Sequence, residues 1–139
     1  MATYKSSKVT NSFPARSNDG ENMAFASVSV SSAAANGDVV QMFKVPANAT
    51  IVGGILRCSD MDTNGSPTVT VDVGDAGDAD RLFAASTVAR AGGADVNLAL
   101  AGLGYKYTED TLIYATINSP ATGATGTVAL TLFYVVGQV

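Results

Sequence analysis

The stretch TVTVDVGDAGDADRLF, residues 68–83, combines a strand and a turn in sixteen residues. Its first half alternates β-branched residues with a period of two, which is typical of a half-buried strand. Its second half places Gly74 and Gly77 among aspartates, which is typical of a polar turn. We predict that Asp72 and Val73 finish the strand, that the two glycines permit the bend, and that an ion pair between Asp80 and Arg81 fixes the exit.

Similar alternating segments recur along the chain at a spacing of roughly ten residues, with turn signals between them. This spacing predicts an all-β fold, a single-domain antiparallel β-sandwich or jelly-roll-like barrel of roughly eight to nine strands. The polar, aperiodic residues 1–20 predict an extended N-terminal arm, and residues 21–139 the β-sandwich domain. The other predicted strands are residues 23–30, 38–45, 50–58, 95–100, 110–117 and 127–136.

Local signals also predict how some segments connect. The Asn36-Gly37 pair predicts a turn that joins residues 23–30 and 38–45 as antiparallel neighbours. Residues 50–58 are apolar almost throughout and predict a central buried strand, with a bulge at Gly53-Gly54. The spacing of apolar residues in 82–91 predicts a short helix or helical turn. Residues 120–126 predict a hairpin loop before the last strand.

Composition excludes several classes of protein. Charged residues make up 14% of the 139 residues, and the net charge is −4 with the basic residues scattered. Direct nucleic-acid binding needs a dense basic face, so we do not expect it. Cys58 is the only cysteine, which excludes an internal disulfide and a cysteine-based zinc cluster. The sequence shows neither a secretory signal nor an apolar run long enough to span a bilayer, which predicts synthesis in a cytoplasm and no membrane partner.

The chain contains no histidine, so Ser-His and Cys-His nucleophile pairs are excluded. Two carboxylate pairs, Asp72 with Asp75 and Asp60 with Asp62, leave glycosidase-like chemistry open in principle. Short acidic side chains more often occupy turns because they accept hydrogen bonds from their own backbone. We therefore expect no catalytic activity and no cofactor.

Asp75, Asp78 and Asp80 offer closely spaced oxygen ligands of the kind that Ca²⁺ prefers. Their order does not match an EF-hand loop, and no glutamate closes the segment. A cation site at these three residues is thus the minor alternative to a turn that caps a strand.

Two groups of residues are candidates for contact with a partner. Tyr105 and Tyr107, with Tyr114, either form a sugar-binding platform or belong to half-buried strands. Phe13 and Pro14, with Arg16 in the same polar segment, are candidates for an anchor in a pocket of another subunit, unless Phe13 packs on its own domain. The interface candidates are therefore Phe13, Pro14, Arg16, Tyr105 and Tyr107.

Residues 45–85, roughly, resemble a family of small structural proteins from tailed bacteriophages. In that family a strand similar to GGIL precedes a strand ending in DVGD, an acidic spacer, and DADR followed by an apolar residue. The resemblance implies a head decoration, or cement, protein: a β-sandwich or jelly-roll module on the outside of the capsid, commonly a homotrimer, that bridges major capsid protein subunits. A tail or receptor-binding fibre component, and a free carbohydrate- or cation-binding β-sandwich module, are the alternatives.

Overall fold

A computed structural model describes residues 2–7, 9, 21–121 and 124–137. Within them the chain forms nine strands and one short 3-10 turn, Val88–Arg90. The strands are β1 (Thr3–Lys5), β2 (Glu21–Ala34), β3 (Asp38–Val45), β4 (Ala49–Cys58), β5 (Thr70–Asp75), β6 (Asp78–Ser86), β7 (Gly93–Asp95), β8 (Thr111–Asn118) and β9 (Ala124–Val136).

The strands form two sheets that pack face to face. One sheet has five strands in the order β1-β3-β8-β5-β6, and the other has four in the order β2-β9-β4-β7. Every pair of neighbours is antiparallel except β1 with β3, which is parallel. The predicted all-β sandwich is therefore confirmed.

The core lies between the two sheets and follows from the alternation of each strand. In β9, Val128, Leu130, Leu132 and Tyr134 are all buried, whereas residues between them face outward. Successive side chains of a strand point to opposite faces, so one apolar residue in two is enough to build each wall of the core. β4 lies between β9 and β7 and carries a bulge between Ile51 and Gly53, as predicted for residues 50–58.

Two predicted connections are wrong. β2 and β3 are not paired, because β2 belongs to the four-stranded sheet and β3 to the five-stranded one. The Asn36-Gly37 turn therefore carries the chain from one sheet to the other instead of closing a hairpin. The predicted hairpin loop at residues 120–126 also crosses between sheets, since β8 and β9 lie in different ones. Crossing lets consecutive strands face each other across the core and bury their apolar sides together.

Residues 82–91 do not form the predicted helical segment as a whole. β6 continues to Ser86 and pairs with β5, and only Val88–Arg90 forms a helical turn. Leu82 and Phe83 are both buried, which breaks the simple alternation of a strand. The spacing of Leu82, Ala85, Val88 and Ala89, which predicted a helix, therefore does not correspond to one continuous helix. The predicted strand at 95–100 is also wrong, because β7 covers Gly93–Asp95 and only Asp95 of the predicted range lies in a strand.

The start of the chain joins the five-stranded sheet through β1. The backbone N–H of Ala2 donates to Asp38 Oδ1 at 2.9 Å, which fixes the first strand on β3. Residues 10–20, with the interface candidates Phe13, Pro14 and Arg16, lie outside the described residues. The division into an arm at 1–20 and a domain from 21 stays a prediction.

Candidate functional site

The turn between β5 and β6 is organised by the carboxylate of Asp75. β5 continues through Asp75, two residues further than predicted, so the turn itself is short. Asp75 Oδ1 accepts hydrogen bonds from the backbone N–H groups of Gly77 at 2.9 Å and Asp78 at 3.0 Å. The side chain of Asp75 is only 6% exposed. This carboxylate therefore closes the turn as aspartates commonly do.

Arg81 forms its ion pair with Asp75 and not with Asp80. Its Nε donates to Asp75 Oδ2 at 2.7 Å and its Nη2 to Asp75 Oδ1 at 3.3 Å. The predicted pair of Asp80 and Arg81 is wrong, because adjacent residues of a strand point to opposite faces. Arg81 instead reaches back across the turn to the carboxylate of Asp75 and donates to both of its oxygens. Such a bidentate contact is stronger than a single hydrogen bond between neutral groups.

Three tyrosines complete this cluster. Tyr107 Oη donates to Asp75 Oδ2 at 2.8 Å, and Tyr114 Oη donates to the backbone carbonyl of Asp75 at 3.0 Å. The guanidinium of Arg81 lies 3.9 Å from the centre of the Tyr105 ring, and the Tyr105 and Tyr107 rings meet edge to face at 4.9 Å. We call Asp75, Arg81, Tyr105, Tyr107 and Tyr114 the turn cluster. Tyr107 is buried within it, and Tyr105 is half-buried.

The environment of the turn cluster changes the pKa values of its members. Burial raises the pKa of the Asp75 carboxyl, but its hydrogen bonds from Arg81 and Tyr107 and the Arg81 charge outweigh burial and hold that pKa below its ordinary value. Burial, followed by the contact with Asp75, raises the pKa of Tyr107. The contact with Asp75 also raises the pKa of Arg81. Asp75 and Arg81 thus stay charged, and Tyr107 neutral, over the whole physiological range.

Five donors surround the two oxygens of Asp75: two backbone N–H groups, two N–H groups of Arg81 and the Tyr107 hydroxyl. A general base or metal ligand needs a free lone pair that points at its substrate or ion, and this carboxylate is already saturated. Asp78 and Asp80 lie close together, and hydrogen bonding with Asp78 followed by its charge raises the pKa of Asp80. No cluster of three or more potential metal ligands occurs among the described residues.

The other candidate carboxylates also hold the backbone. Asp72 accepts from the Ala85 N–H at 2.6 Å and from Asn118 Nδ2 at 2.8 Å. Asp62, which is buried, accepts from the backbone N–H groups of Asn64, Thr68, Val69 and Ala121. Both members of the Asp72–Asp75 pair, and Asp62 of the second pair, are therefore engaged in fixing the backbone, whereas Asp60 is exposed.

These buried carboxylates predict acid sensitivity. The backbone N–H groups of Ala35 and Ala2 hold the pKa of Asp38 below its ordinary 3.8. Burial raises the pKa of Asp62, but the backbone hydrogen bonds that Asp62 accepts lower this pKa by more than burial raises it. The net shift of the Asp62 pKa is therefore also downward. Groups with a depressed pKa in the folded state stabilise the fold above the ordinary pKa, and that contribution disappears as the pH falls through the folded-state pKa.

We therefore expect a melting temperature that is nearly constant above about pH 5 and falls progressively below about pH 4. Differential scanning fluorimetry across this range measures it. Asp62→Asn, which removes one of the titrating groups, should flatten the acid limb, whereas Asn64→Asp on the same loop should not. A melting temperature that rises between pH 5 and pH 3 would contradict the assignment.

Apolar side chains are exposed on the outer surface of the four-stranded sheet. Met23 and Phe25 of β2 are 58% and 46% exposed, and Met23 lies directly opposite Phe133 of β9. Beside Phe25 the surface forms a hollow of about 420 Å³ that crosses the sheet. It is lined by Phe25, Ser27, Arg57, Cys58, Ser59, Gly93, Ala94, Thr127 and Ala129. We call this hollow, with Met23 and Phe133 at its side, the outer face.

The whole chain is similar to proteins of phage capsids. No family model matches it, and no curated protein does. A chain in the capsid structure of Ralstonia phage GP4 is 29% identical, with a TM-score of 0.84 over 99% of this chain and 100% of that one. A chain of the cyanophage Pam1 capsid asymmetric unit is 32% identical, with a TM-score of 0.76 over 92% of this chain and 96% of that one. The chain belongs to the structural proteins of bacteriophage capsids.

A third match shows how far the fold of this capsid protein extends. A chain in the acid-stable capsid structure of Helicobacter pylori bacteriophage KHP30 is 16% identical, with a TM-score of 0.59 over 85% of this chain and 89% of that one. At this identity the likeness shows a shared fold alone. The GP4 and Pam1 matches confirm the resemblance to phage structural proteins, and the capsid protein has a structural role in the virion.

The sequence did not reveal every residue that organises this capsid protein. Asp38 and Asp62 are buried carboxylates whose roles depend on backbone groups as distant as Ala2 and Ala121. The hollow of the outer face was also missed, because it forms only where four strands place outward residues side by side. Among the described residues, no helix is both long and apolar enough to cross a membrane.

Proposed function

We propose that this capsid protein is a decoration, or cement, protein that binds the outside of the mature capsid and bridges major capsid protein subunits. The observation that carries the proposal is the match over whole chains. The GP4 and Pam1 chains are covered at 100% and 96%, so each is a separate polypeptide of nearly this size within a capsid. A small β-sandwich that forms its own core suits an added module better than a shell-forming subunit.

The surface supports a role among other proteins. Charged residues are 14% of the chain, against roughly 25% in an average soluble domain. Many of the aspartates are also engaged with backbone N–H groups, as described for Asp38, Asp62, Asp72 and Asp75. Exposed apolar side chains rimmed by neutral residues are typical of surfaces that contact other proteins.

Stabilisation follows from selective binding. A protein that binds the expanded shell and not the disassembled subunits stabilises that shell by mass action, in proportion to its occupancy and affinity. In the proposed homotrimer, three linked copies act at a high effective concentration, so weak individual contacts add to a firm attachment. We also propose that the segment 10–20, with Phe13, Pro14 and Arg16, supplies contacts to a neighbouring subunit.

The test is the addition of purified protein to expanded capsids that lack it, with unexpanded capsids of the same phage as the matched control. We expect saturable binding to the expanded shell at a fixed ratio to the major capsid protein. We also expect the shell to melt at a higher temperature. Calorimetry and quantitative mass spectrometry of purified particles measure both.

Binding at a few copies per particle, or binding to host cells and not to the shell, would contradict the proposal. Such a result would favour the alternative of a tail or receptor-binding fibre component. Binding to expanded and unexpanded shells alike would remove the selective mechanism.

A further inference from the structure

Two asparagines of the chain directly precede a glycine, in the pairs Asn36-Gly37 and Asn64-Gly65. Asparagine in this position can react with its own backbone, because glycine has no Cβ to hinder the approach of its nitrogen to the asparagine side chain. Asn36 and Asn64 are both exposed, so water and base reach both. Exposure therefore does not distinguish the two sites, and the backbone around each one decides whether it reacts.

The Asn36-Gly37 pair is held at both of the groups that would have to react. The Gly37 N–H donates to the Ile117 carbonyl of β8 at 2.8 Å. The side-chain oxygen of Asn36 accepts from the Ser119 N–H, also at 2.8 Å. The nucleophilic nitrogen and the side-chain carbonyl are thus tied to residues at the end of β8. They can meet only after this part of the sheet opens.

The Asn64-Gly65 pair lies in the loop that joins β4 to β5 and lacks such restraints. Among the described residues, no hydrogen bond engages the Gly65 N–H, and a Cβ built at Gly65 would meet no atom within 4 Å. The peptide group of Gly65 therefore has space to rotate. The Ser66 N–H donates to Asn64 Oδ1 at 3.0 Å. This bond closes a local ring of atoms that contains both the side-chain carbonyl carbon of Asn64 and the Gly65 nitrogen, so it keeps the side chain folded toward that nitrogen.

We propose that Asn64 is a site of spontaneous deamidation, whereas the fold protects Asn36. The Gly65 nitrogen gives its proton to a solvent base and attacks the side-chain carbonyl carbon of Asn64. The new C–N bond closes a cyclic imide, and the side-chain nitrogen takes up a proton and leaves as ammonia. Water then opens the imide at either carbonyl, which yields aspartate or, when the backbone carbonyl is attacked, isoaspartate. The net reaction consumes water, releases ammonia and needs no enzyme.

Deamidation changes the surface of this loop and leaves its anchor in place. Each conversion adds one negative charge to a chain whose net charge is −4, and isoaspartate also lengthens the backbone by a methylene group. The loop is anchored by Asp62, whose carboxylate accepts from the Thr68 N–H at 2.9 Å and from the Val69 N–H at 3.1 Å. Neither bond includes the converted peptide link, so the protein keeps its fold. An exposed surface therefore changes with time through chemistry that the chain itself supplies.

The test follows both asparagines in the full-length protein during incubation at mildly alkaline pH. Trypsin releases residues 58–81, in which Asn64 carries the only side-chain amide, so the mass shift of this peptide has one assignment. Fragmentation of the tryptic peptide 17–44 reports on Asn36. We expect Asn64 to convert at least about tenfold faster than Asn36, because the Asn36 site must first break its hydrogen bonds to the end of β8. Aspartate and isoaspartate should both accumulate at position 64.

Incubation in guanidinium chloride is the control for the role of the fold. Unfolding removes the hydrogen bond of Gly37, so both sites should then convert at similar rates. In the folded protein, Gly65→Ala has space for its Cβ and should slow conversion at Asn64, whereas Thr63→Ser should leave this rate unchanged. Equal rates at Asn64 and Asn36 in the folded protein would overturn the proposal. So would an Asn64 that stays intact in the folded protein and converts only after unfolding.

Discussion

Replacing Asp75 with alanine is expected to lower the melting temperature of the protein by roughly 10–15 °C, which corresponds to about 3–5 kcal/mol of unfolding free energy. The substitution removes the common acceptor of five hydrogen bonds. It leaves the guanidinium of Arg81, whose side chain is 16% exposed, with only the longer contact to Asp78 Oδ2 at 4.0 Å. It also leaves the buried Tyr107 hydroxyl without its acceptor. Thermal denaturation followed by circular dichroism measures the change.

Asp80→Ala is the matched control, because Asp80 belongs to the same acidic segment but is exposed. Its effect should stay within about 0.5 kcal/mol, as is usual for surface substitutions. Tyr107→Phe should fall between the two, with a loss of about 1–2 kcal/mol for one hydrogen bond to a charged acceptor. If Asp75→Ala were no more costly than Asp80→Ala, the turn cluster would contribute little to stability.

Strands were predictable from the sequence because their signal is local. Residues 38–45 were predicted with the bounds of β3, and the bulge near Gly53 was also found. Connections were not predictable in the same way. A turn such as Asn36-Gly37 can close a hairpin or pass between sheets. Which of the two occurs depends on the distant strands with which its flanking strands pair, β9 for β2 and β8 for β3.

The site was predictable in its kind but not in its partners. Turn chemistry predicted the backbone hydrogen bonds that Asp75 accepts. The predicted ion pair involved Asp80 because Asp80 is next to Arg81 in the sequence, and distances in space cannot be read from the sequence. Tyr107 lies 32 residues from Asp75 along the chain, so its contribution appears only after the sheets have packed.

The turn cluster also gives a physical meaning to the segment that carries the phage resemblance. Within DVGD lie Gly74 and Asp75, and within DADR lies Arg81. Gly74 allows the two backbones to approach closely, Asp75 is the hydrogen-bond acceptor, and Arg81 is the main cation of the turn cluster. The residues that carry the resemblance therefore hold β6 against β5, and the resemblance requires no catalytic or ligand-binding role for these aspartates.

Replacing Gly74 with alanine is expected to cost about 3 kcal/mol or more, at or above the upper end of the usual range for overpacking. A Cβ at this position would lie 2.1 Å from the Asp78 carbonyl oxygen and 2.6 Å from the Ala79 carbonyl carbon. Both are backbone atoms of β6, so β5 and β6 would have to separate, and Asp75 beside them would lose its alignment with Arg81. Urea denaturation of the purified variant measures the loss.

Two other glycines provide graded controls for this steric argument. In Gly54→Ala the new Cβ would meet the Leu132 Cδ2 methyl at 2.9 Å and the Leu98 Cδ1 methyl at 3.1 Å. Flexible side-chain ends can move, so we expect a cost of about 1 kcal/mol. Gly65→Ala meets no atom within 4 Å and should be neutral, or stabilising by up to about 1 kcal/mol through the unfolded chain. Equal losses at Gly74 and Gly54 would mean that the β5–β6 backbone yields as readily as a leucine methyl, and the close approach would then have no special role in the turn.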